Sequence, residues 1–388
     1  MSLSRRAALS RVGAVAGASA LGATGQVVRT AAGQSAPMPS AGAQALNLSD
    51  YEGLARERLP HMVYEFVASG AADEHTLRWN REAYDRIRLQ PQALVDVSTL
   101  DTRVSLFGQE LPFPILLAPT SFHRAIHPEG ELETARGAGA ASATLVVSTA
   151  TNTRIEDIAR VATHPLWFQM YIQRDRGFTR ELVQQVQGAN CRALCVTVDR
   201  ASLGARNRSQ RVNFTLPSGV TTPYLSDINT GSKQVLSANY QVTWKDVEWL
   251  RSFAKVPVLL KGILNPADAD RAVREGVAGI MVSNHGARNL DTLPATIDAL
   301  PLVADKVAGR VPILVDGGIR RGTDVVKALA LGASAVLIGR PYLYALGVDG
   351  AAGVSRMINI LRSELEMAMA LTGCPTLRSI DRSVLWPH

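Results

Sequence analysis

Eight short apolar runs alternate with helix-like segments between residues 114 and 340 of this 388-residue chain. The runs cover residues 114–120, 145–149, 166–171, 193–199, 257–262, 279–285, 312–318 and 335–340. The helical patterns between them cover residues 129–141, 155–161, 180–187, 244–253, 266–275, 296–307 and 322–331. Continuously apolar strands separated by helices are typical of a parallel sheet that helices cover. Eight consecutive units of this kind predict an α/β fold of the (β/α)8 TIM-barrel class rather than an open sheet.

Three segments outside this pattern predict additions to the barrel. Residues 46–101 contain helical patterns and are expected to form an N-terminal helical capping segment. Residues 207–241 form a long loop after strand 4 that is rich in Ser, Thr, Asn and Gly, which is typical of a mobile lid. Residues 350–371 predict closing helices. We therefore expect a single domain over residues 45–382.

Polar side chains gather at the carboxyl ends of the apolar runs. They are Thr120, Ser148, Gln169, Tyr171, Thr197, Asp199, Lys261, Ser283, His285, Asp316 and Arg340. Some of them can be explained without a function, because polar residues commonly end a strand. Barrel enzymes build their active sites at this end of the strands. Polar groups at the ends of nearly all the runs therefore indicate a catalytic face.

The composition argues against several other functions. The net charge is +7, but residues 1–36 hold four arginines and no acid, which leaves +3 for the remainder. No basic block with interleaved aromatics follows, so we expect no nucleic-acid partner. The three cysteines are too few for a disulfide framework, and they have no companions that would complete a metal site. No apolar run is long enough for a transmembrane segment.

Residues 1–36 have the features of an export signal. Arg5 and Arg6 precede a weakly apolar stretch, which ends in small residues before Pro37. This arrangement resembles a twin-arginine signal and predicts a periplasmic or other extracytoplasmic location. A disordered tail and an organelle transit peptide are the alternatives, and without export the chain would be cytoplasmic.

The sixth and fourth runs end in groups that suit acid–base chemistry. His285 would face the predicted cavity, where a histidine can accept a proton near neutral pH. Arg288 can point into the same cavity and hold a carboxylate. Asp199 can fix the tautomer of a histidine across the barrel mouth, although it could instead cap a loop. Arg206 is a second candidate for binding a carboxylate, and the arginines at 208 and 211 compete for that role.

The remaining runs end in groups that suit an anion. Lys261 ends an apolar strand, and a buried lysine needs an anionic partner. A Schiff-base lysine is the alternative, because barrel aldolases place one similarly. The last two strands end near Asp316, Gly318, Arg320, Gly339 and Arg340. Barrels commonly bind a phosphate at this position through backbone N–H groups.

The chain resembles the FMN-dependent 2-hydroxy-acid oxidases and dehydrogenases, a family that includes glycolate oxidase, lactate oxidase and the flavin domain of flavocytochrome b2. The similarity extends from about residue 51 to residue 382 and covers the expected domain. It rests on segments such as Leu-Pro-His-Met-Val-Tyr-Glu-Phe at 59–66, Ala-Pro-Thr at 118–120, His-Pro-Glu-Gly-Glu at 127–131, Thr-Val-Asp at 197–199, Leu-Leu-Lys-Gly at 259–262, Ser-Asn-His-Gly-Ala-Arg at 283–288, Asp-Gly-Gly-Ile-Arg-Arg-Gly at 316–322 and Ile-Gly-Arg-Pro at 338–341.

The resemblance implies FMN as cofactor and a role for each candidate residue. His285 would take a proton from the substrate hydroxyl or α-carbon, by hydride or carbanion transfer, and Asp199 would support the imidazolium. Arg206 and Arg288 would bind the substrate carboxylate, and Tyr171 the substrate oxygen. The residues implied for the flavin ring, ribityl chain and phosphate are Pro119, Thr120, Ser121, Ser148, Gln169, Thr197, Lys261, Ser283, Asp316, Gly318, Arg320, Gly339 and Arg340.

Two positions depart from the family pattern and bear on the substrate. Phe66 stands where the family usually has a tyrosine that assists carboxylate binding, and losing that hydrogen bond costs ~1.5–3 kcal/mol. Ala150 stands where glycolate oxidase has a tryptophan. Together they predict a roomier, less polar pocket that takes longer-chain or aromatic 2-hydroxy acids rather than glycolate.

Two other functions stay open from the sequence. One is another FMN barrel enzyme, such as a flavin-dependent isomerase, and the other is a non-catalytic exported binding protein. The combination of His285, Asp199 and Arg288 argues against both. Because no Cys-x-x-Cys-His motif is present, we expect no internal cytochrome. The electron acceptor would be oxygen, a quinone or an external redox protein, and the family implies a homotetramer or octamer.

Overall fold

A closed barrel of eight parallel strands forms the centre of the computed structural model, which describes residues 41–225 and 242–387. The barrel strands are β3 (Ile115–Leu117), β4 (Leu145–Ser148), β5 (Leu166–Met170), β6 (Leu194–Thr197), β7 (Val258–Lys261), β8 (Gly279–Val282), β9 (Ile313–Asp316) and β10 (Ala335–Ile338). Strand β10 pairs with β3 and closes the ring. The prediction of a (β/α)8 TIM barrel is confirmed, with each strand inside its predicted run.

Helices surround the barrel in the alternating order that the sequence predicts. They are α1 (Leu48–Arg58), α2 (His61–Ala68), α3 (His75–Arg86), α4 (Glu131–Ala140), α5 (Ile155–Val161), α6 (Arg176–Gly188), α7 (Asn207–Arg211), α8 (Trp244–Arg251), α9 (Pro266–Arg274), α10 (Thr296–Val307), α11 (Gly322–Ala330) and α12 (Arg340–Leu371). Helix α6 begins four residues earlier than predicted, because Asp175 caps it by accepting a hydrogen bond from Phe178 N. Helix α12 begins ten residues earlier than predicted and bends at Asp349 and Gly350.

Alternate residues of the strands face two separate apolar clusters. Ile115 and Leu117 pack outward against the helices, whereas Leu116 faces the barrel interior. A hairpin of strands β1 (Val104–Leu106) and β2 (Gln109–Leu111) packs against the interior cluster. Its Phe107 lies beside Gly279, the first residue of β8, so the hairpin closes the amino-terminal end of the barrel. The active site is therefore restricted to the opposite end.

The added segments agree only in part with the sequence analysis. Helices α1 to α3 form the predicted N-terminal cap, but residues 87–101 contain no helix. The long connection after β6, the fourth barrel strand, begins with the short helix α7, and its residues 226–241 lie outside the described part, as does the predicted signal at 1–36. None of the described helices is long and apolar enough to cross a membrane.

Candidate active site

A cavity of about 1210 Å³, part of it open to solvent, lies at the carboxyl ends of the barrel strands. Most of the predicted site residues line it, namely Phe66, Pro119, Thr120, Ser121, Ala150, Tyr171, Arg206, Lys261, His285, Arg288, Asp316, Gly318, Arg320, Gly339 and Arg340. The others, Ser148, Gln169, Thr197, Asp199 and Ser283, lie directly behind this lining and hydrogen-bond to it or to one another. The sequence-predicted residues therefore come together around one cavity.

His285 and Asp199 form a hydrogen-bonded pair across the barrel mouth. The Nδ1 atom of His285 lies 2.9 Å from Asp199 Oδ1, and the two side chains are 18% and 14% exposed. Burial lowers the pKa of His285 to about 4, against the opposing effect of the Asp199 carboxylate. A neutral imidazole whose Nδ1–H donates to Asp199 keeps the lone pair of Nε2 free for a proton. The pair therefore has the form of a general base with its orienting acid.

The turn that carries His285 is held in an uncommon backbone conformation. His285, Gly286 and Ala287 all have positive φ angles, of 59°, 61° and 60°. Side-chain amides fix this turn, since Asn284 accepts a hydrogen bond from Ala287 N and bonds to Asn80 of helix α3. Residues other than glycine persist in this region only where their surroundings hold them, often at functional sites. The cap and the barrel together therefore set the direction of the imidazole.

A buried lysine is paired through a short network at the ends of β7 and β9. Lys261 Nζ donates to Ser283 Oγ at 3.0 Å and lies 3.7 Å from Asp316 Oδ2. Burial disfavours its charge, but the carboxylates of Asp316 and Asp199 outweigh that effect and raise its pKa. The raised pKa favours the protonated amine, which is not nucleophilic, and this argues against the aldolase alternative.

A row of three polar side chains crosses the neighbouring strand ends. Ser148 Oγ donates to Gln169 Oε1 at 2.9 Å, and Gln169 Nε2 donates to Thr197 Oγ1 at 2.8 Å. All three are buried. Amide and hydroxyl groups fixed in this way can present donors and acceptors to the edge of a flat polar ring.

Five arginines line the cavity without a carboxylate partner in the described part of the chain: Arg200, Arg206, Arg288, Arg320 and Arg340. Burial is the largest cause that lowers the pKa of Arg206, Arg288, Arg320 and Arg340, to about 10 for Arg206 and Arg320, and repulsion from another arginine is the second cause for all of these except Arg340. Arg288 and Arg340 instead donate to backbone carbonyls at the end of helix α2, both of them to Ser69 O at 2.8 Å. Buried cations need anionic partners, so the cavity suits a ligand that carries negative charge.

The cavity fits the FMN that the sequence analysis predicts. Gly318 has a φ of +80°, and a Cβ there would lie 1.8 Å from Asn80 O, so only glycine allows this close approach. Arg320 and Arg340 are available for a phosphate near this glycine, and the row from Ser148 to Thr197 is available for a ring. Asp316 Oδ1 is buried without a hydrogen-bond partner in the structure, as expected where a ribityl hydroxyl would donate.

One wall of the cavity is apolar and contains Phe66 and Ala150. The Phe66 ring stacks on Phe214 with ring centroids 3.9 Å apart, and its centroid lies 5.7 Å from that of Phe122. Leu225 lines the same cavity. The Phe66 side chain therefore belongs to an aromatic cluster and brings no hydroxyl to the site.

The structure separates the three competing arginines that follow β6. Arg206 lines the cavity. Arg208 instead forms a bidentate pair with Glu65, at 2.6 and 3.0 Å, and also contacts Glu74. Arg211 is exposed. Only Arg206 is therefore placed to meet a ligand.

Several lining residues were missed by the sequence analysis. Arg81 of helix α3 donates to Gly318 O, and Arg200 lies over the ring of Tyr171. Arg200 directly follows Asp199, so its place at a strand end could have marked it. No local pattern distinguishes Arg81 or Phe122 from other residues of their segments, because only packing brings them to the cavity.

Comparisons with known proteins agree with this geometry. The family model described as FMN-dependent dehydrogenase matches residues 55–387. An L-lactate oxidase from Nostoc sp. is 46% identical, covering 88% of this chain and 98% of that protein, and spinach glycolate oxidase is 41% identical, covering 87% and 94%. A solved structure of mandelate oxidase with benzoyl-formic acid matches with a TM-score of 0.82 and 39% identity, covering 88% and 98%. The chain belongs to the FMN-dependent dehydrogenase family and is an enzyme with FMN as its cofactor.

Proposed function

We propose that this enzyme oxidises (S)-2-hydroxy acids to 2-oxo acids, with His285 as the base. The observation that carries the proposal is the His285–Asp199 pair, which lies in one cavity with Arg206 and Arg288. A base beside two arginines without carboxylate partners suits a substrate that has both a hydroxyl and a carboxylate. Relatives named as lactate, glycolate and mandelate oxidases support the same class of substrate.

The two arginines would hold the substrate carboxylate. Arg288 uses one terminal nitrogen, Nη1, to donate to the carbonyls of Phe66 and Ser69. Among the described residues, the other nitrogens of Arg288 have no hydrogen-bond acceptor, and Arg206 donates only from its Nε, to Arg288 O at 3.3 Å. Two guanidinium groups can bind both oxygens of one carboxylate and so orient the α-carbon. Tyr171 lines the same cavity and would hydrogen-bond the substrate oxygen.

Oxidation of the hydroxy acid removes two electrons and two protons. His285 Nε2 takes one of the protons, from the hydroxyl or the α-carbon, and Asp199 stabilises the resulting imidazolium. When bound, FMN would supply the acceptor for the two electrons and for the second proton. Lys261, held protonated by Asp316 and Asp199, would place positive charge where electron density increases.

The apolar wall favours substrates larger than glycolate. Phe66, Phe122 and Leu225 offer apolar contact, and Ala150 leaves space that a larger side chain would fill. We therefore expect higher kcat/KM for 2-hydroxyoctanoate or mandelate than for glycolate. A clear preference for glycolate would contradict this assignment of the wall.

Anaerobic mixing of the purified yellow protein with 2-hydroxy acids tests the proposed reaction. We expect the flavin absorbance to bleach and one equivalent of 2-oxo acid to form. A flavin that stays oxidised with every 2-hydroxy acid tried would refute the proposal and favour an isomerase or a binding protein. Turnover also requires a second acceptor, and peroxide yield compared with dye reduction distinguishes oxygen from a quinone or a separate redox protein.

We further propose that residues 1–36 direct export and that the enzyme is a homotetramer or octamer. The Arg5-Arg6 pair and the stretch of small residues support export. Replacing both arginines with lysine should retain the enzyme in the cytoplasm, which cell fractionation would show. Light scattering of the purified holoenzyme would give the subunit number, and a monomer would contradict the second part.

A further inference from the structure

Arg200 is a cavity-lining cation that the proposed reaction does not use. It follows Asp199 directly, is partly buried, and lines the same cavity as His285. Its guanidinium carbon lies 4.8 Å from the ring centroid of Tyr171. Within residues 41–225 and 242–387 it forms no ion pair with a carboxylate, so no carboxylate of these residues neutralises its charge.

The other arginines near the cavity have partners or proposed ligands. Arg208 is neutralised by Glu65 and Glu74. Arg206 and Arg288 would share one substrate carboxylate, and Arg320 and Arg340 would bind a phosphate. Arg200 therefore remains as a positive charge that a substrate with a single carboxylate would leave uncompensated.

The charge of Arg200 acts on the groups that would meet the substrate. It contributes to lowering the pKa of both His285 and Arg206, with burial the larger cause in each case. Repulsion between Arg200 and Arg206 is relieved when a ligand brings further negative charge. The aromatic face of Tyr171 supports the flat guanidinium, whose fork of donors matches a carboxylate.

We propose that Arg200 binds a second acidic group at the far end of the substrate, so that a 2-hydroxy dicarboxylic acid is preferred over a 2-hydroxy monocarboxylic acid of similar length. The inference rests on the proposed function, because Arg206 and Arg288 must hold the first carboxylate. The methylene chain between the two acidic groups would lie in the space beside Ala150 and Leu225. The chemistry is unchanged: the 2-hydroxyl becomes a 2-oxo group, and the distal acid does not react.

The test compares substrates of similar size that differ in the distal group. For the holoenzyme, kcat/KM is measured with (S)-2-hydroxyglutarate and (S)-2-hydroxyhexanoate, and then with Arg200→Gln, Arg200→Lys and the control Arg211→Gln. We expect the wild-type enzyme to prefer the dicarboxylate. Arg200→Gln should lower the ratio of kcat/KM for the dicarboxylate to kcat/KM for the monocarboxylate by about tenfold or more, as when one partner of a charge pair is removed.

The control variants separate the possible outcomes. Arg200→Lys should restore part of the dicarboxylate activity. Arg211→Gln, at the exposed last residue of helix α7, should match the wild type. Equal loss with both substrates in Arg200→Gln would overturn the inference and assign Arg200 to the support of Tyr171. A wild-type enzyme that prefers the monocarboxylate would also overturn it while leaving the proposed function intact. If neither acid reduced the flavin, nor any other 2-hydroxy acid, the proposed function itself would fail.

Discussion

Two walls of the cavity are built in different ways. The strand-end wall consists of Lys261, Ser283 and Asp316, which lie at or just after the ends of β7, β8 and β9 and hydrogen-bond to one another. The loop wall consists of Phe66 and residues 200–214, which come from helix α2 and the connection after β6. The hydrogen bonds between barrel strands fix the positions of the residues in the first wall. The positions of the residues in the second wall depend on contacts between segments that are distant in sequence.

The contacts of the loop wall are few and specific. The bidentate pair of Arg208 and Glu65 joins helix α7 to helix α2, and the stacked rings of Phe66 and Phe214 join the same two segments farther along. Arg206 lies between these contacts and the cavity. We propose from this comparison that the strand-end wall binds the cofactor and the loop wall selects the substrate, and variants can test this division.

The largest expected effect is at His285, which lies between the two walls. His285→Gln should lower the rate of anaerobic flavin reduction by about 10²–10⁴-fold, because a positioned base contributes that much. Stopped-flow absorbance measures the rate. FMN content per chain should equal that of the wild type. If His285→Gln lost FMN as well as activity, the lower rate could not be assigned to loss of the base, and the prediction would be contradicted.

Lys261→Met should damage the strand-end wall. Removing the cation leaves the buried Asp316 carboxylate without its partner, a change that costs about 3–5 kcal/mol when a buried pair is broken. We expect lower FMN retention after gel filtration and a lower flavin reduction potential. Lys306→Met, at an exposed position on helix α10, is the matched control. Full FMN retention with an unchanged potential would show that this wall does not govern the cofactor.

Arg208→Ala should affect the loop wall alone. Without the pair to Glu65, helix α7 and Arg206 lose their fixed position, and KM should rise about tenfold, equivalent to ~1.4 kcal/mol. FMN content and the pH dependence of kcat should stay as in the wild type, and Arg208→Lys should recover part of the loss. Arg211→Ala is the control. A fall in FMN content comparable to that of Lys261→Met would remove the distinction between the walls.

Phe66→Tyr should give the smallest effect. The new hydroxyl can donate one hydrogen bond to the substrate carboxylate, and at the lower end of the ~1.5–3 kcal/mol range for such a bond KM for glycolate should fall by roughly tenfold. KM for mandelate should change less, because its ring still meets the apolar wall. Phe253→Tyr, outside the cavity lining, is the control. An equal fall in KM for both acids would show that Phe66 does not discriminate between substrates.

The strand-end wall could be predicted from the sequence, and most of the loop wall could not. The pattern of eight apolar runs predicts that Lys261 and Asp316 lie at the active site, because each ends a run and the carboxyl ends of barrel strands converge on one site. The residues alone left Arg206, Arg208 and Arg211 as competitors, and only the family resemblance implied Arg206. The structure shows that Arg208 instead pairs with Glu65 and Glu74, more than 130 residues away. The aromatic cluster of Phe66 likewise joins segments that no local pattern relates. Packing between such distant segments leaves no periodic signal in the chain.

The end of helix α2 sets a limit on how the protein can be divided. Its carbonyls accept hydrogen bonds from both Arg288 and Arg340, which belong to the barrel. A helix carboxyl terminus carries partial negative charge, so this end partly offsets two cavity cations in the absence of any ligand. An excised barrel that began after helix α3 would therefore lack the acceptors of these two arginines. Any truncation or domain graft must keep the eight residues of helix α2 together with the barrel.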